Sequence, residues 1–391
     1  MNAYQHCPVC HGGKLEQFLN RPKVPVHQNL LMNDREAALS AACGKLELFV
    51  CGECGFVFNG AFDLAKLEYG DQYENAQYYS PCFDAYLDEL VSRMVSERGV
   101  RNCHIVEVGC GQGLFLRRLV EYDGSGNTGH GFDPSYRGAL SDLDGRLQFA
   151  NSYYSEECAD VPADVVVSRH VIEHVPNPLE LLHNVRKALV NASGPRIFCE
   201  TPCVEWILRN QVIWDFFYEH CSYFSASSLR TAFEIAGFQV ERVEHVFGGQ
   251  YLWLEATKPD RDESEVTKRP ESVVSLSREF GNAQQQLTAR WQTVIRDLAA
   301  REKVALWGAG AKGVSFANLI ESRPGLLDCI IDLNPQKQGH YIPGSGHPIV
   351  APQELGPRGV TTAILMNPNY REENLALLER LNLKVRLIDH L

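Results

Sequence analysis

The stretch HIVEVGCGQGLFLRRLVEY, residues 104–122, decides the fold. Its first five residues form an apolar strand and its last nine an amphipathic helix, with Gly109, Gly111 and Gly113 in the turn between. Glycines there let the backbone approach a ligand closely. Outward from this unit the alternation continues. GHGFD, ADVVVSRH and PRIFCE are strand-like, and PLELLHNVRKAL is helical. Apolar strands alternating with amphipathic helices predict an α/β chain with a parallel, helix-covered sheet. Upstream, Phe83, Tyr86, Leu87, Leu90, Val91 and Met94 recur at helical spacing. Downstream, FQVERVEHVF and GQYLWLEATK predict two antiparallel strands joined at Gly248-Gly249.

The pattern restarts near the C-terminus. Residues 259–270 (PDRDESEVTKRP) are charged, bounded by prolines, and read as a linker, and 271–302 read as one long helix. KVALWGAG then opens a second α/β unit with further strands at CIIDLN, HPIV, TTAILMN and KVRLID. The expected divisions are 1–75, 76–258, 259–302 and 303–391.

Composition narrows the function. The net charge of -12 argues against a phosphate-backbone footprint, so no nucleic-acid partner is expected. No apolar run approaches the roughly 18 residues of a membrane span, and the N-terminus lacks a secretory signal pattern. Thirteen cysteines, an odd number, then point to reduced thiols in the cytoplasm. A monomer is the expected state.

Four cysteines are paired in sequence. Cys7 and Cys10 form CPVC, and Cys51 and Cys54 form CGEC. Two such knuckles direct four thiolates to one tetrahedral Zn2+, a closed and therefore structural site. His6 and His11 flank the first knuckle as bystanders.

The glycine turn departs from the dinucleotide fingerprint. Its acid-x-G-x-G-x-G pattern, Glu107 to Gly113 with Gln112 inside, resembles motif I of the class I S-adenosylmethionine-dependent methyltransferases. An acid, Asp133, followed by Pro134, ends the next strand about 20 residues on, where a ribose diol is bound. The resemblance places Ser152 of NSYYSEE near the adenine. It also places SRHVIEHVPNP, with Arg169, His170 and His174, at the fourth strand tip lining the active site.

DFFYEHCSYFS narrows the class. Glu219, His220, Tyr223, Phe224 and Ser225 match the hallmark of the sugar C-methyltransferase family, whose hallmark begins Tyr-His-Glu-His. The tail DLNPQKQGHYIPGSGHPI matches as well, as does the order of zinc, methyltransferase and third domains. The resemblance implies a small zinc-binding N-terminal domain, a central Rossmann-like methyltransferase domain and a second Rossmann-like α/β domain. It also implies a nucleoside-diphosphate 4-keto-deoxysugar substrate.

Under that reading His220 is the general base, Glu219 orients its imidazole, and Tyr78, Tyr79 and His174 serve the developing enolate. Phe217 and Tyr218 depart from the family's tyrosine and histidine, which leaves a hydroxyl lost or supplied by Tyr218 in a shifted pose. The third domain carries a full G-x-G-x-x-G at Gly308, Gly310 and Gly313, with Lys312 inside it, and Asp332 about 20 residues on. With Asn334, Lys337 and Gln338 these are the expected nucleotide-sugar contacts. An NAD-type site there, and an O- or N-methyl acceptor, stay open as alternatives.

Overall fold

The computed structural model describes residues 5–67, 74, 79–192, 194–259, 272–321 and 325–389. Tyr78 and the linker from residue 260 onward lie outside the described residues.

The N-terminal lobe is an antiparallel sheet of β1 (Leu15–Pro25), β2 (Cys43–Cys51) and β3 (Val57–Asn59). The pairing Leu15↔Cys51 closes the 40 residues between the two knuckles. A fourth strand, Ser222–Tyr223, joins this sheet against Val57 and Phe58, so the segment after His220 belongs to the lobe that carries the cysteines.

The central domain begins with α1 (Pro81–Ser92), whose N-cap Ser80 accepts from the Phe83 amide. It buries the apolar stripe read from the sequence. The sheet then runs through β4 (His104–Val108), β5 (Thr128–Phe132), β6 (Ser141–Asp142), β7 (Leu147–Ala150), β8 (Val165–Arg169) and β9 (Arg196–Pro202). With the short strand above as β10, β11 (Gln239–Val246) and β12 (Tyr251–Thr257) complete it. The order is β11-β12-β9-β8-β4-β5-β7-β6. Strands β9 to β7 are parallel and nearly continuously apolar, as a sheet covered on both faces requires. The hairpin at Gly248-Gly249 is present, with β11 antiparallel to β12.

α2 (Leu114–Glu121) buries Phe115, Leu116, Leu119 and Val120 along one face. After α3 (Pro178–Ala188), α4 (Val204–Arg209) and α5 (Ala226–Ile235), the 27-residue α6 (Val273–Ala299) carries the chain to the last domain. That domain is a five-stranded parallel sheet, β15-β14-β13-β16-β17. Its strands are β13 (Lys303–Trp307), β14 (Cys329–Ile331), β15 (Ile349–Val350), β16 (Val360–Leu365) and β17 (Arg386–Ile388), with α7 (Ala311–Ile320) after the glycine loop.

One apolar cluster binds the three parts. Phe216 of the central domain packs edge-on against Phe18 of β1 and Phe280 of α6. Trp291 of α6 meets Trp214 and Phe316. Buried aromatics of this size dominate core energetics, about 3–5 kcal/mol each on truncation. The cleft between central and C-terminal domains is therefore walled by elements on a shared core. No helix among the described residues is long and apolar enough to cross a membrane.

Candidate active site

The first glycine loop runs from the tip of β4 into α2. Gly113 has φ 77°, and a Cβ there would lie 2.5 Å from the Phe149 ring, so only glycine lets the helix start. A Cβ on Gly111 would meet nothing within 4 Å: the loop is open to a ligand at that point. Asp133 closes the turn, with Oδ2 accepting from the Gly111 amide at 2.8 Å and Oδ1 from Ser135 N at 2.7 Å. Gln112 donates to the Ser135 carbonyl and accepts from Arg137 N, fixing the turn that holds Pro134. Ser152 sits half-buried just beyond β7.

Glu107 is buried and accepts from the Leu116 amide at the start of α2. Burial pushes its carboxyl up to about 8, against the pull of Arg169 and that amide. Arg169 also faces inward. Its Nε donates to Glu200 at 2.6 Å and its guanidinium lies over Phe115. Burial opposes the charge on Glu200, but Arg169 and His170 hold it down at about 2, and Tyr86 donates to it at 2.8 Å.

His170, a non-glycine residue at φ 54°, follows at the β8 tip. Such backbone strain concentrates at working sites. Its ring lies between Glu173 (3.3 Å) and Glu200 (3.4 Å). Burial works against its charge, yet the two carboxylates raise it to about 9.

His170 opens onto a cavity of about 300 Å³ between the central and C-terminal domains. His174, His220 and Tyr79 line it from one side and the second glycine loop from the other. The rings of His174 and His220 meet edge to face at 4.6 Å. Two Glu-His pairs, 173–174 and 219–220, thus bring their histidines together.

The carboxylates of those pairs diverge. Glu219 is spent on His27 Nδ1 (3.2 Å) and the Gln28 amide (3.0 Å) of the N-terminal lobe. The expected pairing of Glu219 with the His220 ring is not made, because chain neighbours in a turn point to different sides. A carboxylate that does come close to both histidines is Glu173, which sequence reasoning missed. One side-chain atom of each of Glu173, His174 and His220 lies within 4.8 Å of the others. Its signal was present as the first of the two Glu-His pairs.

Position 217 supplies no hydroxyl, and the Phe217 ring lies 4.2 Å from His220. The shifted pose allowed for Tyr218 is not adopted, since its hydroxyl accepts from Asp63 N at 2.8 Å in the N-terminal lobe. His220 is held well below the ordinary imidazole range, first by burial and then by His174, His170 and Lys312. It is a neutral ring with a lone pair to accept a proton.

The second loop repeats the first. Asp332 Oδ2 accepts from Ala309 N at 2.8 Å and Oδ1 from Asn334 N at 2.9 Å. A Cβ on Gly313 would fall 1.8 Å from the Gly308 carbonyl oxygen. Gly308, Gly310, Asn334 and Lys337 line the cavity. Lys337, buried, reaches the Ala309 carbonyl and Asn29, each at 3.3 Å. Gln338 instead donates to the Asp332 carbonyl. Lys312 turns away from its own loop and bonds Asp215 and Gln250 of the central domain, each at 2.9 Å.

The four knuckle cysteines converge away from this cavity. Cys7 and Cys54 sulfurs are 3.7 Å apart and Cys10 and Cys51 sulfurs 3.6 Å, all buried, and the Glu53 amide donates to Cys51. A tetrahedron with Zn–S of about 2.3 Å has S–S edges of about 3.8 Å, so this donor set fits zinc. His6 and His11 are exposed and outside the cluster.

Comparison with known proteins agrees with this layout. Residues 78–243 match a methyltransferase domain model and 264–384 match a C-methyltransferase C-terminal domain. The fold and site define a class I S-adenosylmethionine-dependent methyltransferase. The two matches follow one another along the chain, the methyltransferase domain first and the C-methyltransferase C-terminal domain second.

It is 25% identical over 386 residues to the C-methyltransferase NovU of Streptomyces niveus, covering 94% of this chain and 90% of that protein. Among solved structures it is similar to 1,6-didemethyltoxoflavin-N1-methyltransferase of Burkholderia thailandensis with S-adenosylhomocysteine, at 14% identity and TM-score 0.35 over 46% of this chain and 80% of that one. An S-adenosylmethionine-dependent methyltransferase from Aquifex aeolicus gives 15% identity and TM-score 0.32 over 45% of this chain and 98% of that one.

Proposed function

We propose that the enzyme methylates a ring carbon of a nucleoside-diphosphate 4-keto-deoxysugar. The observation that carries this reading is the single cavity lined by His174 and His220 on one wall and by the second glycine loop on the other. A sugar diphosphate spans such a cleft. Its phosphates lie at the Gly308–Gly313 loop and the α7 N-terminus, where backbone amides and Lys337 meet negative charge. Its sugar then reaches the two histidines.

His220, neutral at pH 7, removes the proton beside the ketone. Glu219 positions the segment by holding His27 and Gln28 rather than by touching the base. S-adenosylmethionine, held by the Gly109–Gly113 loop and Asp133, supplies the electrophilic methyl group when bound. The half-buried setting of both histidines and the domain walls around the cavity limit the access of water to the carbanion. The four cysteines hold a structural zinc that staples the lobe to β10, directly after His220.

His220→Ala should lose methyl transfer by at least about 100-fold, as loss of a general base does, while S-adenosylhomocysteine binding by calorimetry stays within about 3-fold, a change of under about 1 kcal/mol. Near-normal turnover in that variant would remove the base assignment. Cys54→Ser should release zinc and unfold the N-terminal lobe. Full metal content by elemental analysis would overturn the four-thiolate site.

A further inference from the structure

Two lysines line the cavity, and they face different halves of it. Lys337 lies under the second glycine loop, as a phosphate cation should. Lys312 begins in that loop but crosses the domain boundary. Its ammonium rests on Asp215 and Gln250 of the central domain and over the Trp206 ring at 5.2 Å. Gln250 is itself fixed by donating to Asn367 at 2.8 Å. Asp215 stands two residues before Phe217, whose ring lies against His220.

The reacting ketone needs a donor at its oxygen, because negative charge develops there as the proton leaves. Phe217 has no hydroxyl, and that of Tyr218 is bound in the N-terminal lobe. Arg169 is spent on Glu200, and Tyr79 and His174, the earlier candidates, share the cavity with Lys312, which brings to it a side chain with a full positive charge. Lys312 has three N–H donors, and its two oxygen partners take two of them.

We propose that Lys312 is the cation that stabilises the enolate oxygen formed when His220 deprotonates the substrate, so that the C-terminal domain contributes a catalytic residue and not only a nucleotide clamp. The assignment rests on the ketosugar reading above. The C–H bond breaks with its proton going to the His220 ring. The electron pair moves onto the ketone oxygen, which accepts a hydrogen bond from the ammonium, and no proton leaves Lys312. The same charge acts on His220, which also feels His174 and His170, with Glu173 and Asp215 as the nearby carboxylates.

The test is Lys312→Met and Lys312→Arg in the full-length zinc-loaded enzyme with S-adenosylhomocysteine in deuterated buffer. The probes are thymidine- and uridine-diphosphate 4-keto-6-deoxyglucose, and the readout is exchange of the ring proton beside the ketone. At saturating sugar Lys312→Met should lose at least about 100-fold in exchange rate, as removal of an oxyanion donor does. The concentration for half-saturation should change by less than about 3-fold, and Lys312→Arg should restore part of the rate. A large rise in half-saturation with a near-normal saturated rate makes Lys312 a phosphate ligand and overturns the proposal.

A second arm needs no substrate. In an imidazole NMR titration the His220 resonance should titrate at higher pH in Lys312→Met than in wild type. An unmoved His220 titration also overturns the proposal. If the wild-type enzyme exchanges neither sugar, the ketosugar reading fails, and the His220 titration still decides whether Lys312 acts on the base.

Discussion

The two glycine loops use one device for two tasks. In both, an acid at the tip of the second strand ties a loop amide, Asp133 to Gly111 N and Asp332 to Ala309 N, each at 2.8 Å. In both, the last glycine sits where a side chain would collide with the loop's support. What differs is the charge around the turn. The central loop has buried Glu107 behind it and no lysine, and opens at Gly111. The C-terminal loop has Lys337 beneath it, while Lys312, in the first turn of its helix, crosses to Asp215 of the central domain. A loop with no lysine beside it suits a cationic sulfonium cofactor, and a lysine-backed loop suits a diphosphate. On the proposed reading the backbone motif positions the ligand and the neighbouring charges choose it.

This comparison is breakable at the glycines first. Gly313→Ala forces a methyl group into the Gly308 carbonyl and should destabilise the C-terminal domain by about 3 kcal/mol, the upper end for overpacking. Gly111→Ala meets no atoms and pays only for its left-handed backbone, about 1–2 kcal/mol. Denaturant unfolding of both variants checks the order, and equal costs would contradict the close approach of Gly313 to the Gly308 carbonyl.

The acids give the smaller and sharper contrast. Asp133→Asn and Asp332→Asn each lose a charge-assisted acceptor for a loop amide, about 1–3 kcal/mol. Calorimetry should find Asp133→Asn weak for S-adenosylhomocysteine alone and Asp332→Asn weak for the nucleoside diphosphate alone. Cross-effects of equal size would contradict separate sites.

Sequence order and residue type made both loops, the cysteine knuckles and the β11–β12 hairpin legible, because each is fixed by contacts within a few dozen residues. The partners of Glu219 and Lys312 were not legible. Glu219 is beside His220 in the chain but meets His27 and Gln28 almost two hundred residues away. Lys312 lies inside a phosphate-type loop but pairs across the domain boundary with Asp215. Both depend on how three lobes pack on the shared core around Phe216 and Trp291, and no local spacing encodes that. The first Glu-His pair, Glu173-His174, was visible in the sequence, but its meeting with His220 needed the fold.

The central claim is carbon methylation initiated by His220. It is tested most directly by transfer of a 13C-methyl group from S-adenosylmethionine to a nucleoside-diphosphate 4-ketosugar labelled with 13C throughout its ring. The account predicts a one-bond carbon–carbon coupling between the new methyl and a ring carbon beside the ketone in the wild-type product, and no product from His220→Ala. A methyl signal without that coupling, marking attachment to oxygen or nitrogen, would contradict it.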